Sequence, residues 1–117
     1  MKKIENLKIK IFSDGANEKD MLAMNSKSII KGLTTNPSLM KKAGINDYKS
    51  FAKKILTNIK NKPVSFEIFS DEINEMEKQA LEINSWGENI YVKIPISNTM
   101  NVSTAGLLNK LSIKKVK

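Results

Sequence analysis

Lys93 stands in the middle of the apolar run Ile90-Tyr91-Val92-Lys93-Ile94-Pro95-Ile96. A run of this length, rich in β-branched and aromatic residues, reads as a strand buried on both faces of a parallel sheet. Side chains alternate along a strand, so the lysine points at one face or the other. Cover on both faces then desolvates its ammonium, which disfavours the charged form and lowers the pKa. An amine that is free near neutrality attacks a carbonyl carbon and makes a Schiff base. The plainer alternative is an edge strand whose lysine reaches back into water.

Three more polar groups occupy comparable places in other apolar runs. Asp14 closes the alternating stretch 8–13, Asn36 follows the stretch 28–34, and Glu67 lies within 64–69. In parallel α/β sheets the carboxyl ends of the strands carry the chemistry. Parity groups Asp14 with Phe12, Glu67 with Ser65 and Phe69, and Lys93 with Tyr91 and Pro95. If those are the inward faces, two carboxylates and one amine converge. Each residue also has a purely structural explanation. Asp14 could cap the next helix, Asn36 could be only the cap before Pro37, and Glu67 could point outward on a sheet edge. Those explanations must all hold at once, one per strand end, and the shared placement favours chemistry.

The elements between these residues are helices. Residues 18–25 suit a short helix. Pro37 opens another, bracketed by Asn36 before it and Gly44 after it. Asp47 caps a longer one, whose Phe51, Ala52, Ile55, Leu56 and Ile59 form an amphipathic face. Residues 71–85 and 103–111 complete the set, and a lysine-rich tail follows. The order is βα four times over, without a linker or a low-complexity segment, so residues 1–117 read as one α/β domain. Strands alternating with helices imply parallel strands joined by crossovers. No glycine-rich phosphate loop follows the first strand, which argues against a dinucleotide-binding half. A small open parallel sheet and the first half of a (β/α)₈ barrel both remain.

Composition removes several kinds of chemistry. The 117 residues are 40% hydrophobic and 27% charged, as in an ordinary globular domain. There is no cysteine and no histidine. Disulfide frameworks, thiolate or histidine metal sites, Ser-His-Asp triads and Cys-His pairs are therefore excluded. Acid–base work falls to carboxylates, lysines, tyrosines or water. The net charge is +8, and the 20 basic residues are all lysine. Specific base readout and forked phosphate clamps favour arginine, so sequence-specific nucleic-acid binding is not expected. No apolar run approaches the roughly 20 residues of a membrane span. The first residues are too charged for the apolar core of a signal peptide, so a cytoplasmic location away from membranes is expected.

The runs Gly32-Leu33-Thr34-Thr35-Asn36-Pro37-Ser38-Leu39, Val64-Ser65-Phe66-Glu67 and Tyr91-Val92-Lys93-Ile94-Pro95, in this order and spacing, resemble the transaldolase family. Thr-Thr-Asn-Pro-Ser is the most specific piece, and the resemblance runs from Ile9 onward. It implies the first four units of a TIM (β/α)₈ barrel, truncated before strand five. It implies a class I aldolase chemistry that transfers a dihydroxyacetone unit between sugar phosphates, in carbohydrate metabolism and the pentose phosphate pathway, with no cofactor and no metal. Position by position it makes Lys93 the Schiff-base nucleophile. Glu67 acts with a water in proton transfer to and from the carbinolamine, and Asp14 handles the hydroxyl proton whose loss breaks the C–C bond. Asn36 holds the dihydroxyacetone unit, with Thr34 in support. Glutamate at 67 favours transaldolase over the fructose-6-phosphate aldolase branch, whose pattern has glutamine.

Two departures accompany the resemblance. Gly15 stands where many members have threonine. A (β/α)₈ barrel also needs roughly 200 residues or more. The chain is therefore expected to be a fragment, the N-terminal piece of a split enzyme that needs a complementing C-terminal half, or a half-barrel that pairs with a second copy. In each case little turnover is expected of a lone monomer. Other readings stay open: a related aldolase with a different donor, or an inactive module that only binds a partner.

Overall fold

The chain uses short polar side chains to start its helices and apolar runs to fill the strands between them. The computed structural model describes residues 3–117. After a single 3-10 turn at Ile4–Asn6 come β1 (Ile11–Asp14), α1 (Glu18–Asn25), β2 (Ile30–Thr34), α2 (Pro37–Lys42) and α3 (Tyr48–Asn58). Then follow β3 (Val64–Glu67), α4 (Ile73–Asn84), β4 (Ile90–Lys93) and α5 (Ala105–Ile113). Four N-caps satisfy amides that a helix start leaves unpaired. Asn17 accepts from the Asp20 amide at 3.0 Å, Asn36 from Leu39 at 2.9 Å and Asp47 from Ser50 at 3.0 Å. Glu72 accepts from both Asn74 and Glu75.

The four strands form one parallel sheet in the order β1-β2-β3-β4, so spatial order repeats chain order. This is the arrangement of four successive units of a (β/α)₈ barrel. Leu33, Val64, Phe66 and Ile90 pack into one cluster with Ala52, Ile55 and Leu56 of α3, Met76, Ala80 and Ile83 of α4, and Leu107 and Leu111 of α5. Burying each large side chain contributes about 1.5–3 kcal/mol. Helices therefore cover the face that these strand residues share.

The opposite face carries Phe12 and Asp14, Gly32 and Thr34, Ser65 and Glu67, and Tyr91 and Lys93. It is open: Phe12 is 42% and Tyr91 45% exposed. The expected burial of the 90–96 run on both faces is thus corrected. Its strand also ends at Lys93, because the sheet offers it one helix layer and Pro95 has no N–H to extend the ladder. The first strand starts at Ile11 rather than 8, and the second at Ile30 rather than 28. Lys27 and Ser28 are still in a turn, closed by the Ile30 amide on the Lys27 carbonyl. The lysine-rich tail is not loose. Val116 packs against the core, and the Lys117 carbonyl accepts from the Val92 amide at 2.8 Å, on β4.

No helix among the described residues is long and apolar enough to cross a membrane.

Candidate active site

The register of the sheet sets the pairing on the open face. Glu67 is opposite Lys93 across β3 and β4, and Asp14 is opposite Thr34 across β1 and β2. Lys93 Nζ lies 3.7 Å from Glu67 Oε2, an ion pair just beyond hydrogen-bond length. Thr34 Oγ1 donates to Asp14 Oδ1 at 2.7 Å. The two pairs stand at the same end of the sheet and are connected. Lys93 Nζ donates to the Thr35 carbonyl at 3.2 Å, reaching from β4 to the residue that follows β2. Thr35 is itself fixed, its amide donating to the Ser65 carbonyl at 3.1 Å. The amine therefore leans toward the middle of the open face and not outward from the sheet edge.

Side-chain exposure is 38% for Lys93 and 30% for Glu67. Water reaches both from the side that no helix covers, so the dry surroundings expected for this lysine are absent in the chain as it stands. Their mutual attraction is correspondingly screened.

Asn36 is placed differently. It sits at the carboxyl end of β2, but its side-chain oxygen is engaged in capping α2. The amide NH₂ is the end left to meet a ligand, and the residue bonds to none of Asp14, Thr34, Glu67 or Lys93. Asn36 and Glu67 nonetheless line one cleft of about 440 Å³, together with Ser38, Ser70 and Pro95. Asp14 lines a separate hollow of about 260 Å³ with Ser13, Gly15, Asn17 and Lys42. Gly15 has open space around it: a Cβ there would meet nothing within 4 Å.

The rim of the cleft is tied across two loops. Asp71, after β3, accepts from the Thr99 amide at 2.9 Å and from the Thr99 hydroxyl, and its carbonyl accepts from Asn98 at 3.1 Å. The bonds from the Thr99 hydroxyl and amide hold the Asp71 carboxyl below its ordinary pKa. Sequence patterning suggested residue 71 as a helix start. Its side chain is instead committed to Thr99, and Glu72 takes the cap. Sequence patterning also gave no part to the Thr35 carbonyl. A backbone acceptor leaves no mark in residue type.

Fold and site together define an α/β protein of the barrel kind, with an amine, two carboxylates and a hydroxyl at the carboxyl ends of its strands. The family described as Transaldolase/Fructose-6-phosphate aldolase matches residues 11–102. A "Probable transaldolase" of Dehalococcoides mccartyi is 41% identical over 87 residues, which are 74% of this chain and 40% of that protein. One of Clostridium botulinum is 40% identical over 106 residues, 91% of this chain and 48% of that protein. One of Methanococcus vannielii is 35% identical over the same share of each. The chain belongs to the transaldolase/fructose-6-phosphate aldolase family. It spans about half the length of the curated relatives it matches.

Proposed function

We propose that this chain supplies the Schiff-base half of a transaldolase-type site. That site would move a dihydroxyacetone unit between sugar phosphates in cytoplasmic carbohydrate metabolism. The observation that carries the reading is the Lys93–Glu67 pair, with the amine 3.7 Å from a carboxylate on the adjacent strand. The Lys93 amine attacks the ketose carbonyl carbon, and the oxygen becomes the hydroxyl of a carbinolamine. Glu67, through a water, delivers the proton that lets this hydroxyl leave as water, which yields the iminium. The Asp14 carboxylate takes the proton of the hydroxyl on the far carbon, the C–C bond breaks, and its electrons flow into the iminium to give an enamine. Thr34 holds Asp14 for that step, and the Asn36 amide binds the dihydroxyacetone hydroxyls. The enamine then adds to an acceptor aldehyde, and hydrolysis frees Lys93.

A second reading rests on the exposure of the same two residues. An open inner face suits a module that is finished by a partner, whether a complementing half or a second copy, and is inactive without it. Borohydride trapping separates the two. The chain is incubated with fructose 6-phosphate, reduced and mapped by peptide mass. A single adduct on Lys93 supports the catalytic reading. No adduct, or label spread over many lysines, overturns it for the chain alone.

A further inference from the structure

Glu67 is the last residue of β3: the Ile68 amide that follows still donates to the Lys93 carbonyl at 3.2 Å, but the Glu67 carbonyl on the other edge must find another donor. Its carbonyl takes that bond from a side chain: Tyr48 Oη donates to it at 2.7 Å. Tyr48 is the first residue of α3, and its own start is pinned by Asp47, which accepts from the Ser50 amide at 3.0 Å and the Ser50 hydroxyl at 2.8 Å. The phenol ring is wedged among three aromatics, with centroids 6.1 Å from Phe66, 5.7 Å from Phe69 and 5.5 Å from Trp86. Burial pushes the phenol far above its ordinary pKa, so it donates as a neutral hydroxyl at any working pH.

The neighbouring turn is held separately. Gln79 of α4 accepts from the Phe69 and Ser70 amides, both at 3.0 Å. Tyr48 thus acts on one peptide unit, that of Glu67. The Ile68 amide, at 3.2 Å from the Lys93 carbonyl, holds one side of this peptide plane and the Tyr48 hydroxyl, with the shorter bond, holds the other. Together they set the direction of the Glu67 side chain on the opposite face.

We propose that Tyr48 is a positioning residue for Glu67: its hydroxyl, anchored in the helix layer, aims the carboxylate at Lys93. The part played in chemistry rests on the Schiff-base reading above, whereas the aim itself does not. Tyr48→Phe keeps the ring and removes only the donor. Carbodiimide coupling of the full chain reads the aim directly, because it joins a carboxylate to an amine in contact with it. The Glu77–Lys110 pair, at 2.9 Å between α4 and α5, is an internal standard that also reports an intact helix layer.

The expected result for Y48F is a Glu67–Lys93 crosslink reduced by about threefold or more relative to that standard, the size set by one hydrogen bond's net worth. An unchanged ratio overturns the proposal. Borohydride trapping is the second arm. Y48F slows adduct formation about threefold to tenfold in the native background and not at all in an E67Q background, since its effect passes through Glu67. Equal slowing in both backgrounds means a general structural role and overturns the positioning role. Absence of any Lys93 adduct in the unsubstituted chain overturns the Schiff-base reading, and the crosslink then decides the aim on its own.

Discussion

The ring of Phe12 lies across Gly32 on the open face of the sheet. A Cβ at position 32 would stand 2.5 Å from the nearest ring carbon, closer than real contacts allow. Gly32→Ala is therefore expected to destabilise the chain by about 1 kcal/mol, at the low end for overpacking because the half-exposed ring can swing outward. The check is urea unfolding of the single and double variants. Phe12→Ala should remove most of the cost of Gly32→Ala, and strict additivity would deny the contact.

Lys93→Met should lower borohydride-trapped label to background. Glu67→Gln should leave the label on Lys93 but slow its appearance by about 10²-fold, the ordinary worth of a positioned acid–base group. Label that survives Lys93→Met would place the nucleophile on another lysine.

Phe66 is fully buried, and its ring meets that of Trp86 edge-on with centroids 6.3 Å apart. Phe66→Ala should cost about 3–5 kcal/mol by cavity formation. It should also move the emission of Trp86, the chain's single tryptophan. Unfolding followed by that fluorescence gives both results, and a loss under about 1 kcal/mol would mean that the core closes over the gap.

Asp71 couples the rim to pH. Its carboxyl is held below the unfolded value by the Thr99 hydroxyl and amide. A depressed carboxylate contributes stability that is complete above the unfolded pKa of about 4 and is lost as pH falls through the lower folded value. Acid unfolding should therefore be shallower in Asp71→Asn than in the native chain below about pH 4. The Thr99 amide should exchange with solvent faster in the same variant at neutral pH. Unchanged exchange would show that the loop is held by something else.

Much of this architecture is legible in residue types. Asn17, Asn36 and Asp47 mark helix starts because a short polar side chain is what an unpaired amide needs. Parity groups Asp14 with Phe12, Glu67 with Ser65 and Lys93 with Tyr91 within their strands, and the register of the sheet makes these one face. What escaped the sequence depends on partners distant along it. Residues 90–96 look dry on both sides because apolar content reports what a strand can bury. It does not report whether a second layer is present. Asp71 is the better cap by type, yet the cap falls on Glu72 while Thr99 occupies the Asp71 carboxylate. Tyr48 looks like one more core aromatic until its hydroxyl is found on the Glu67 carbonyl. Asn36 was legible as a cap, and its cap is what the geometry displays most directly.

The strand order β1-β2-β3-β4 has a consequence for how the protein is made. Each strand hydrogen-bonds to the strand that precedes it in the chain. The closure entropy of every pairing is therefore that of one intervening helix and its loops, or of two between β2 and β3. A chain leaving the ribosome can set down β2 on β1 before β3 has been synthesised, and each newly laid strand becomes the template for the next. Assembly in this order never requires an early strand to wait, unpaired, for a late one. It keeps the number of bare strand edges constant while the sheet grows.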